Sequence, residues 1–256
     1  MLELLKDFIS FGFYAVYRLF PTIRGQELAL LYHSVCDVDY KKDHNKLNVL
    51  PSLFKDHLAL LSNLKNKKVI LTFDDGFSNF FNEVFPVILK SKLNAILFVT
   101  VGFIEGEINL NQIFNNKFRL KPLTWKQIRE ISDSGIEIGS HTLTHRNLAK
   151  LKENEARKEI MDSKKRIEDA IGKGVRYFSY PYGGRNAFNK DVKMMVKDSG
   201  YEKAFTNIMG FNNSERDSYE LNRIRIYGSD NLFRFRLKIN GAYNWIDFLT
   251  GYNIKE

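Results

Sequence analysis

Four side chains in this sequence are of types and spacings that do chemistry together. Asp74 and Asp75 are adjacent in Asp74-Asp75-Gly76, directly after the apolar run Val69-Ile70-Leu71-Thr72-Phe73. Neighbouring carboxylates on extended chain point in different directions, so one can bind a cation while the other stays free as a base. Two anions this close need a cation nearby, or one of them holds a proton. His141 and His145 in Ser140-His141-Thr142-Leu143-Thr144-His145 supply the complement. A His-x-x-x-His spacing puts both imidazoles on one side of a turn or compact loop, a usual geometry for a metal pair. Two imidazoles and one carboxylate, with a fourth position open to water, form a typical catalytic zinc set. Such a metal brings the pKa of bound water from 15.7 toward ~7 and polarises a carbonyl oxygen. Either half alone reads equally well as turns and caps; the combination is far more specific.

Positioning these groups requires particular elements. Apolar, β-branched or aromatic runs occur at Leu28–His33, Lys68–Asp74, Ala95–Thr100, Ile136–Ser140, Tyr177–Tyr182, Lys203–Thr206 and Arg223–Tyr227. Segments with helical spacing lie between them at Phe80–Lys90, Trp125–Ser132, Leu148–Ile171 and Asp191–Ser199. This alternation argues for an α/β fold with a parallel sheet, and about seven units argue for a barrel. In such sheets the active site lies at the carboxyl ends of the strands. Four strand ends then deliver Tyr32-His33, Asp74-Asp75, Ser140 to His145, and Tyr180-Pro181-Tyr182-Gly183-Gly184 to one rim. Glu105–Pro122 and Asp37–Asn48 read as insertion loops. His44 and His57 fall in a polar loop and on a surface helix, with no chemical role expected.

The chain has 256 residues, of which 44% are hydrophobic, enough for one sizeable core. A single cysteine, Cys36, excludes a disulfide framework and a Cys-rich zinc module. The 39 Lys and Arg exceed the 30 Asp and Glu by nine, which suggests an anionic partner. The basic residues are scattered rather than blocked, so nucleic acid is not expected. Residues 1–24 read as an amphipathic helix, with residues 25–256 as the catalytic domain. Leu4, Phe8, Phe11 and Ala15 share one face, and Phe13, Tyr14 and Tyr17 widen it. The helix either packs on the domain or lies in a lipid interface as a peripheral contact through residues 1–20. Glu3 and Asp7 stand where a secretory signal is basic, so the expectation is a cytoplasmic protein, peripheral at the inner face of the cell membrane. The aromatic segment Trp245–Leu249 packs on the barrel or forms an interface.

From about Leu28 to Tyr227 the sequence resembles the polysaccharide deacetylases of the chitooligosaccharide-deacetylase (NodB-like) type, carbohydrate esterases with a deformed (β/α) barrel. The first family motif stands as Thr72-Phe73-Asp74-Asp75-Gly76 and the second as Ser140-His141-Thr142-Leu143-Thr144-His145. Leu123-Thr124-Trp125, Ser134-Gly135-Ile136-Glu137-Ile138-Gly139 and Gly200-Tyr201 before Ala204-Phe205-Thr206 support it. The resemblance implies that Asp74 is the general base and that Asp75, His141 and His145 ligate Zn2+ or another divalent transition metal. It implies an oxyanion site at the Tyr182 backbone N–H beside Pro181, with Leu143 lining the acetyl-methyl pocket and Thr142 fixing the imidazoles. Phe77, Trp125 and Tyr180 are further candidates for a sugar platform, though more usually core. Many members carry an Arg in the third motif that orients the catalytic Asp; here Ser179 stands at that place. Arg185, Arg223 or Arg225 could replace it, and Arg223 is favoured because it sits on a strand. The late His that acts as general acid is missing, and His33 is the best substitute. The early Tyr-His strand with Tyr-Pro-Tyr-Gly resembles the branch acting on β-1,6-linked N-acetylglucosamine polymers.

The implied activity is metal-dependent removal of N-acetyl from an N-acetylhexosamine in a glycan or polyprenyl-phosphate-linked sugar. The alternatives left open are a deformylase of a lipid-linked formamido sugar, a non-catalytic glycan-binding relative, and a hydrolase of an unrelated amide.

Overall fold

The computed structural model describes residues 6–12, 27–37, 46–64, 68–113 and 120–246. Seven parallel strands curl into a half-barrel: β1 (Glu27–Tyr32), β4 (Lys68–Phe73), β5 (Asn94–Val99), β6 (Glu137–Ser140), β7 (Tyr177–Ser179), β8 (Lys203–Phe205) and β9 (Ile224–Arg225). Their spatial order is β8-β7-β6-β5-β4-β1-β9, and β2 (Ser34–Val35) pairs separately with β3 (Asn48–Val49). All seven runs read as strands are strands; β1 and β5 match their runs in length but start one residue earlier, and the other five are shorter than their runs. Past the last ladder pair the residues turn into the rim loops. The edge strands are linked: Leu221 N donates to Ala204 O, Thr206 N to Leu221 O, and Arg223 N to Ile208 O, at 2.8–3.0 Å.

Each strand is built to two faces. Leu28, Leu30 and Tyr32 of β1, and Val69, Leu71 and Phe73 of β4, face the helices in the main core. The alternate positions face the barrel interior, where Ala29, Ile96, Phe98, Phe205 and Leu221 form a second apolar cluster with Ile70 and Tyr177. Further along the same inner face the residues turn polar: Ile70 gives way to Thr72 and Asp74, Phe98 to Thr100, and Tyr177 to Ser179. The apolar plug thus fills the lower barrel and the polar set sits above it.

The covering helices have conventional ends. In α5 (Trp125–Asp133) Thr124 and Gln127 make a reciprocal capping box, while Asn189 caps α7 (Lys190–Asp198) and Asn231 caps α8 (Leu232–Ile239). The segment read as one helix from Leu148 to Ile171 is instead broken. Leu148–Lys150 is a 3₁₀ turn, and α6 starts at Glu153 and ends at left-handed Gly172. The Asn147 side chain accepts from Ala149 N, and Glu155 accepts from Lys152 N, so the backbone restarts at extended Leu151 and Lys152.

Other readings are corrected as well. His57, in α1 (Pro51–Ser62), is buried rather than on a surface helix. Its ring stacks on Phe235 at 3.8 Å and Nδ1 meets the Tyr32 hydroxyl at 3.1 Å. Burial pushes its pKa down to about 3, so it is neutral. The 105–122 insertion carries short helices, α3 (Val101–Ile104) running into it and α4 (Leu110–Ile113) within it. There Leu110 packs with Phe77 and Phe103, so Phe77 is core rather than sugar platform. Tyr180 is core too, stacked on Phe188 with its hydroxyl donating to Tyr219 O. Trp125 packs against the main core. Of the N-terminal helix only residues 6–12 are described, and they are helical. Ala15, Phe13, Tyr14, Tyr17, His44 and Asp247–Leu249 lie outside the described residues. No helix among the described residues is long and apolar enough to cross a membrane.

Candidate active site and metal centre

Asp74 follows β4 and continues its ladder, its N–H donating to Tyr32 O at 3.0 Å. Its carboxylate is buried and gripped by a fully buried guanidinium: Arg223 Nη1 donates to Oδ1 and Nη2 to Oδ2, both at 2.8 Å. Arg223 also donates to Thr206 O, Thr72 Oγ1, Ser179 Oγ and Asn207 Oδ1 at 2.5–3.2 Å, and Ser179 Oγ donates to Asp74 Oδ2. Ser179, at the motif position where many such deacetylases carry an Arg, is therefore a hydrogen-bonding spacer that leaves room for the Arg223 guanidinium. Burial raises the Asp74 pKa, but Arg223 and then His141 outweigh it, and the carboxyl is held below the ordinary range. Asp74 is ionised at neutral pH.

Asp75, His141 and His145 offer ligand atoms within 4.8 Å of one another, all three buried. His141 Nδ1 donates to Ser179 O at 2.7 Å, which leaves Nε2 as a lone pair 3.7 Å from Asp75 Oδ1. His145 Nε2 lies 3.6 Å from the same oxygen. Burial lowers the pKa of both imidazoles, so both are neutral and able to ligate. Neither oxygen of Asp75 has a hydrogen-bond partner, although the side chain is 0% exposed. Burial, then the charge of Asp74, pushes the Asp75 carboxyl well up. An orphaned buried carboxylate facing two neutral imidazoles is a donor set that fits a divalent cation.

The loops that carry these groups are strained. Asp75, Thr142, His145 and Tyr182 all have positive φ, at 79°, 69°, 58° and 63°. Only two other non-glycine residues do so among those described, Lys46 and Lys92. Such conformations cost about 1–3 kcal/mol each and persist only where surroundings enforce them. Here the enforcement is visible. Thr142 Oγ1 accepts from His145 N at 3.1 Å, Thr142 N donates to Ser140 Oγ, and Glu159 holds both the N–H and the hydroxyl of Thr144.

Asn207 completes the frame and was missed in the sequence. Besides accepting from Arg223, it donates from Nδ2 to Tyr182 O and from its N–H to Gly183 O, both at 2.8 Å. It couples the Asp74 clamp to the Pro181-Tyr182 loop. The signal available was its place just past the end of a barrel strand. Tyr182 is half-buried with its ring 5.0 Å from that of His145, and Pro181 is buried beside it. Leu143 is buried in the main core and its carbonyl accepts from Gly102 N. His33, half-buried at the end of β1, acts electrostatically on both Asp74 and His145. Of the other arginines, Arg225 donates to Asn207 O and Arg185 is exposed.

Residues 62–204, over half the chain, match the family model described as polysaccharide deacetylase. The chain belongs to the polysaccharide deacetylase family. This is a family of carbohydrate esterases that are metalloenzymes. Among curated polysaccharide deacetylases it is similar to YxkH of Bacillus subtilis strain 168, a protein assigned to the family, at 26% identity over 77% of this chain and 70% of the relative. It is also similar to the peptidoglycan-N-acetylmuramic acid deacetylase PdaA of the same strain, 26% identical over 62% of this chain and 54% of PdaA. A third relative is the poly-beta-1,6-N-acetyl-D-glucosamine N-deacetylase of Staphylococcus aureus strain MRSA252, at 27% identity. That match covers 67% of this chain and 58% of the relative, so the chain spans little more than half the length of these two polymer deacetylases. The polysaccharide deacetylase fold is shared with the Streptococcus pyogenes deacetylase PplD, solved with acetate. The TM-score is 0.71 at 22% identity, over 85% of this chain and 99% of PplD.

The metal-stripped protein has a signed pH dependence. A carboxyl raised on folding favours the folded state when protonated, so that contribution fades as pH rises. We expect melting temperature without metal to fall as pH rises from about 4 toward the raised Asp75 value, and this slope to vanish when a divalent ion is restored. Differential scanning calorimetry with and without chelator measures it; identical slopes would remove Asp75 as a ligand.

Proposed function

We propose that the protein is a metal-dependent hydrolase that removes the N-acetyl group from an N-acetylhexosamine in a glycan or lipid-linked sugar. One observation carries the reading: an ionised Asp74, fixed by Arg223 and Ser179, stands beside an Asp75–His141–His145 cluster whose carboxylate has no other partner. Asp75, His141 and His145 would hold the ion, with Zn2+ suited to one carboxylate and two imidazoles. When bound, that ion supplies Lewis acidity toward a carbonyl oxygen and acidifies a water.

The rest is done by the chain. Asp74 accepts the proton of the attacking water as its oxygen adds to the amide carbon. Arg223 holds both carboxylate oxygens in place, so the acceptor needs no reorganisation. The Tyr182 N–H, beside Pro181, is the donor for the oxyanion that forms on the carbonyl. Leu143 borders the acyl methyl. Collapse breaks the C–N bond, and the leaving amine takes a proton from the His33 imidazolium. The products are acetate and an amino sugar. A formamido sugar would react by the same steps and release formate. The complete carboxylate and imidazole set, with its arginine clamp, supports turnover over mere glycan binding.

The surplus of nine positive charges supports a substrate on a polyprenyl phosphate, handled at the inner face of the cell membrane. Acetate and formate release should be measured across soluble N-acetylglucosamine oligomers and polyprenyl-phosphate-linked N-acetyl and formamido sugars. Acetate from the N-acetyl substrates is expected; release from none of them would end this reading.

Three variants test the assignments. Purified protein should carry about one divalent ion per chain by plasma mass spectrometry, and His141→Ala or His145→Ala should abolish it. Retention of metal by both variants would overturn the ligand set. His33→Ala should keep its metal and lose about a hundredfold in kcat. An unchanged kcat would remove His33 as acid.

A further inference from the structure

The described part of the N-terminal helix is docked with its polar side inward. Asp7 accepts from Arg234 Nε and Nη2 at 2.9 and 2.7 Å and from the Tyr243 hydroxyl. Ser10, 0% exposed, accepts from Trp245 Nε1 at 3.1 Å. Asp7 and Ser10 are three apart and share a face, as do Phe8 and Phe11. Phe8 is 77% exposed and Phe11 50%. A helix that packs for stability alone buries its aromatic side; this one buries its polar side and shows the aromatics. Phe233 in the first turn of α8 is also 52% exposed, its ring centroid 6.4 Å from that of Phe11. Exposed large apolar groups that adjoin one another mark a contact surface.

Two further facts say what the contact is with. The first is charge. The α8 sequence Leu-Phe-Arg-Phe-Arg-Leu-Lys-Ile carries three cations and no acid. The acids that touch it are taken up: Asp7 by Arg234, and Asp230 by Lys238 at 2.5 Å. Arg236, one turn on from Phe233, is exposed. The second is position. The helix after a parallel strand starts at that strand's carboxyl end, so Phe233 stands at the barrel end that carries Asp74, Asp75 and His141. The chain from β9 to α8 stays at this rim, where Ile226 N donates to Leu31 O, two residues before His33.

We infer that Phe8, Phe11 and Phe233 form one docking face that seats the mouth of the active site on an anionic lipid surface. This rests on the membrane-side reading above and names the side chains responsible. Phenylalanine rings enter the boundary between headgroups and acyl chains, while Arg236 meets the anionic headgroups. A small face of this kind binds reversibly, so the enzyme can leave one glycolipid and reach the next. The Asp7–Arg234–Tyr243 cluster keeps the helix in its aromatics-out orientation without any lipid.

Sedimentation of the full chain with vesicles of phosphatidylglycerol and phosphatidylcholine, against phosphatidylcholine alone, tests this. Wild-type protein should partition onto the anionic vesicles, and Phe8→Ser/Phe11→Ser/Phe233→Ser should reduce that by at least about tenfold. Arg236→Glu should lose the preference for anionic over neutral vesicles. All three side chains are exposed, so acetate release from soluble oligomers should be unchanged in these variants, which also shows that they fold. The inference is overturned if wild-type protein stays in the supernatant or if the triple variant partitions equally. It is overturned too if the triple variant halves the mass seen by light scattering, since the face would then join two copies. If soluble and lipid-linked sugars release no acetate while vesicle binding follows the pattern above, the deacetylase reading fails and the docking face stands.

Discussion

Replacing Asp74 by Asn should lower kcat by about 10³–10⁴-fold while leaving about one divalent ion bound per chain. The amide has the carboxylate's size, and with its oxygen in the place of Oδ2 it still accepts from Arg223 Nη2 and Ser179 Oγ, while its NH2 faces Arg223 Nη1 donor to donor and loosens that half of the clamp. It cannot accept a proton from water, and that is the property the reaction needs. Its effect on the metal set is favourable, because Asp75 loses the neighbouring charge that disfavours its ionised form. Rate and metal content must therefore be read together. A large fall in rate with the ion retained assigns the base, whereas a rate within about tenfold of wild type removes Asp74 from that role.

Replacing Arg223 by Met should be the most destabilising single change in the site, by roughly 3–5 kcal/mol. The reason is what stays behind. Asp74 would remain buried as an uncompensated carboxylate, and Thr206 O, Thr72 Oγ1, Ser179 Oγ and Asn207 Oδ1 would each lose a donor. Melting temperature should fall by roughly 10 °C, at about 2–4 °C per kcal/mol for a domain of this size. The double variant Arg223→Met/Asp74→Asn should recover much of that loss yet stay inactive, since it removes the stranded charge together with its partner. If the double variant is no more stable than Arg223→Met, the pair is not what makes the change costly.

The acid side gives an independent check. In the wild type Asp74 is depressed below 3.8 on folding, so its stabilisation is present above about pH 4 and is lost as pH falls through the folded value. Without Arg223 the folded value rises under burial, and the variant should instead gain stability as pH falls toward 4.

How much of this was legible depended on whether a residue's partner was local. Asp74, Asp75, His141 and His145 could be found because short motifs place them beside their strands. Arg223 could be found because it opens an apolar run that reads as a barrel strand, although β9 itself begins one residue later. Asn207 and Glu159 were not, since an Asn past a short strand and a Glu within a charged helix look like any surface residue until the loops they hold are in place. His57 was misread for the same reason. It lies on the apolar side of α1 with Phe54, Leu58 and Leu61, and only α8, placed far along the chain, brings Phe235 over its ring. The stop at Leu151 and Lys152 was hidden because an apolar period of 3.6 does not register a backbone that breaks and restarts in phase.

The arginine clamp also sets a timetable. Asp74 and Arg223 are 149 residues apart, and synthesis at about 5–20 residues per second puts roughly 7–30 s between their emergence from the ribosome. During that interval the two adjacent carboxylates have no guanidinium, and the sheet still lacks the strand that places it. Early strands can pair, β1 with β4 and β4 with β5, but Asp74 is locked only when the last strand docks against the first. The last strand thus closes onto the first, and a nascent chain released before Arg223 leaves the Asp74 carboxylate without its guanidinium.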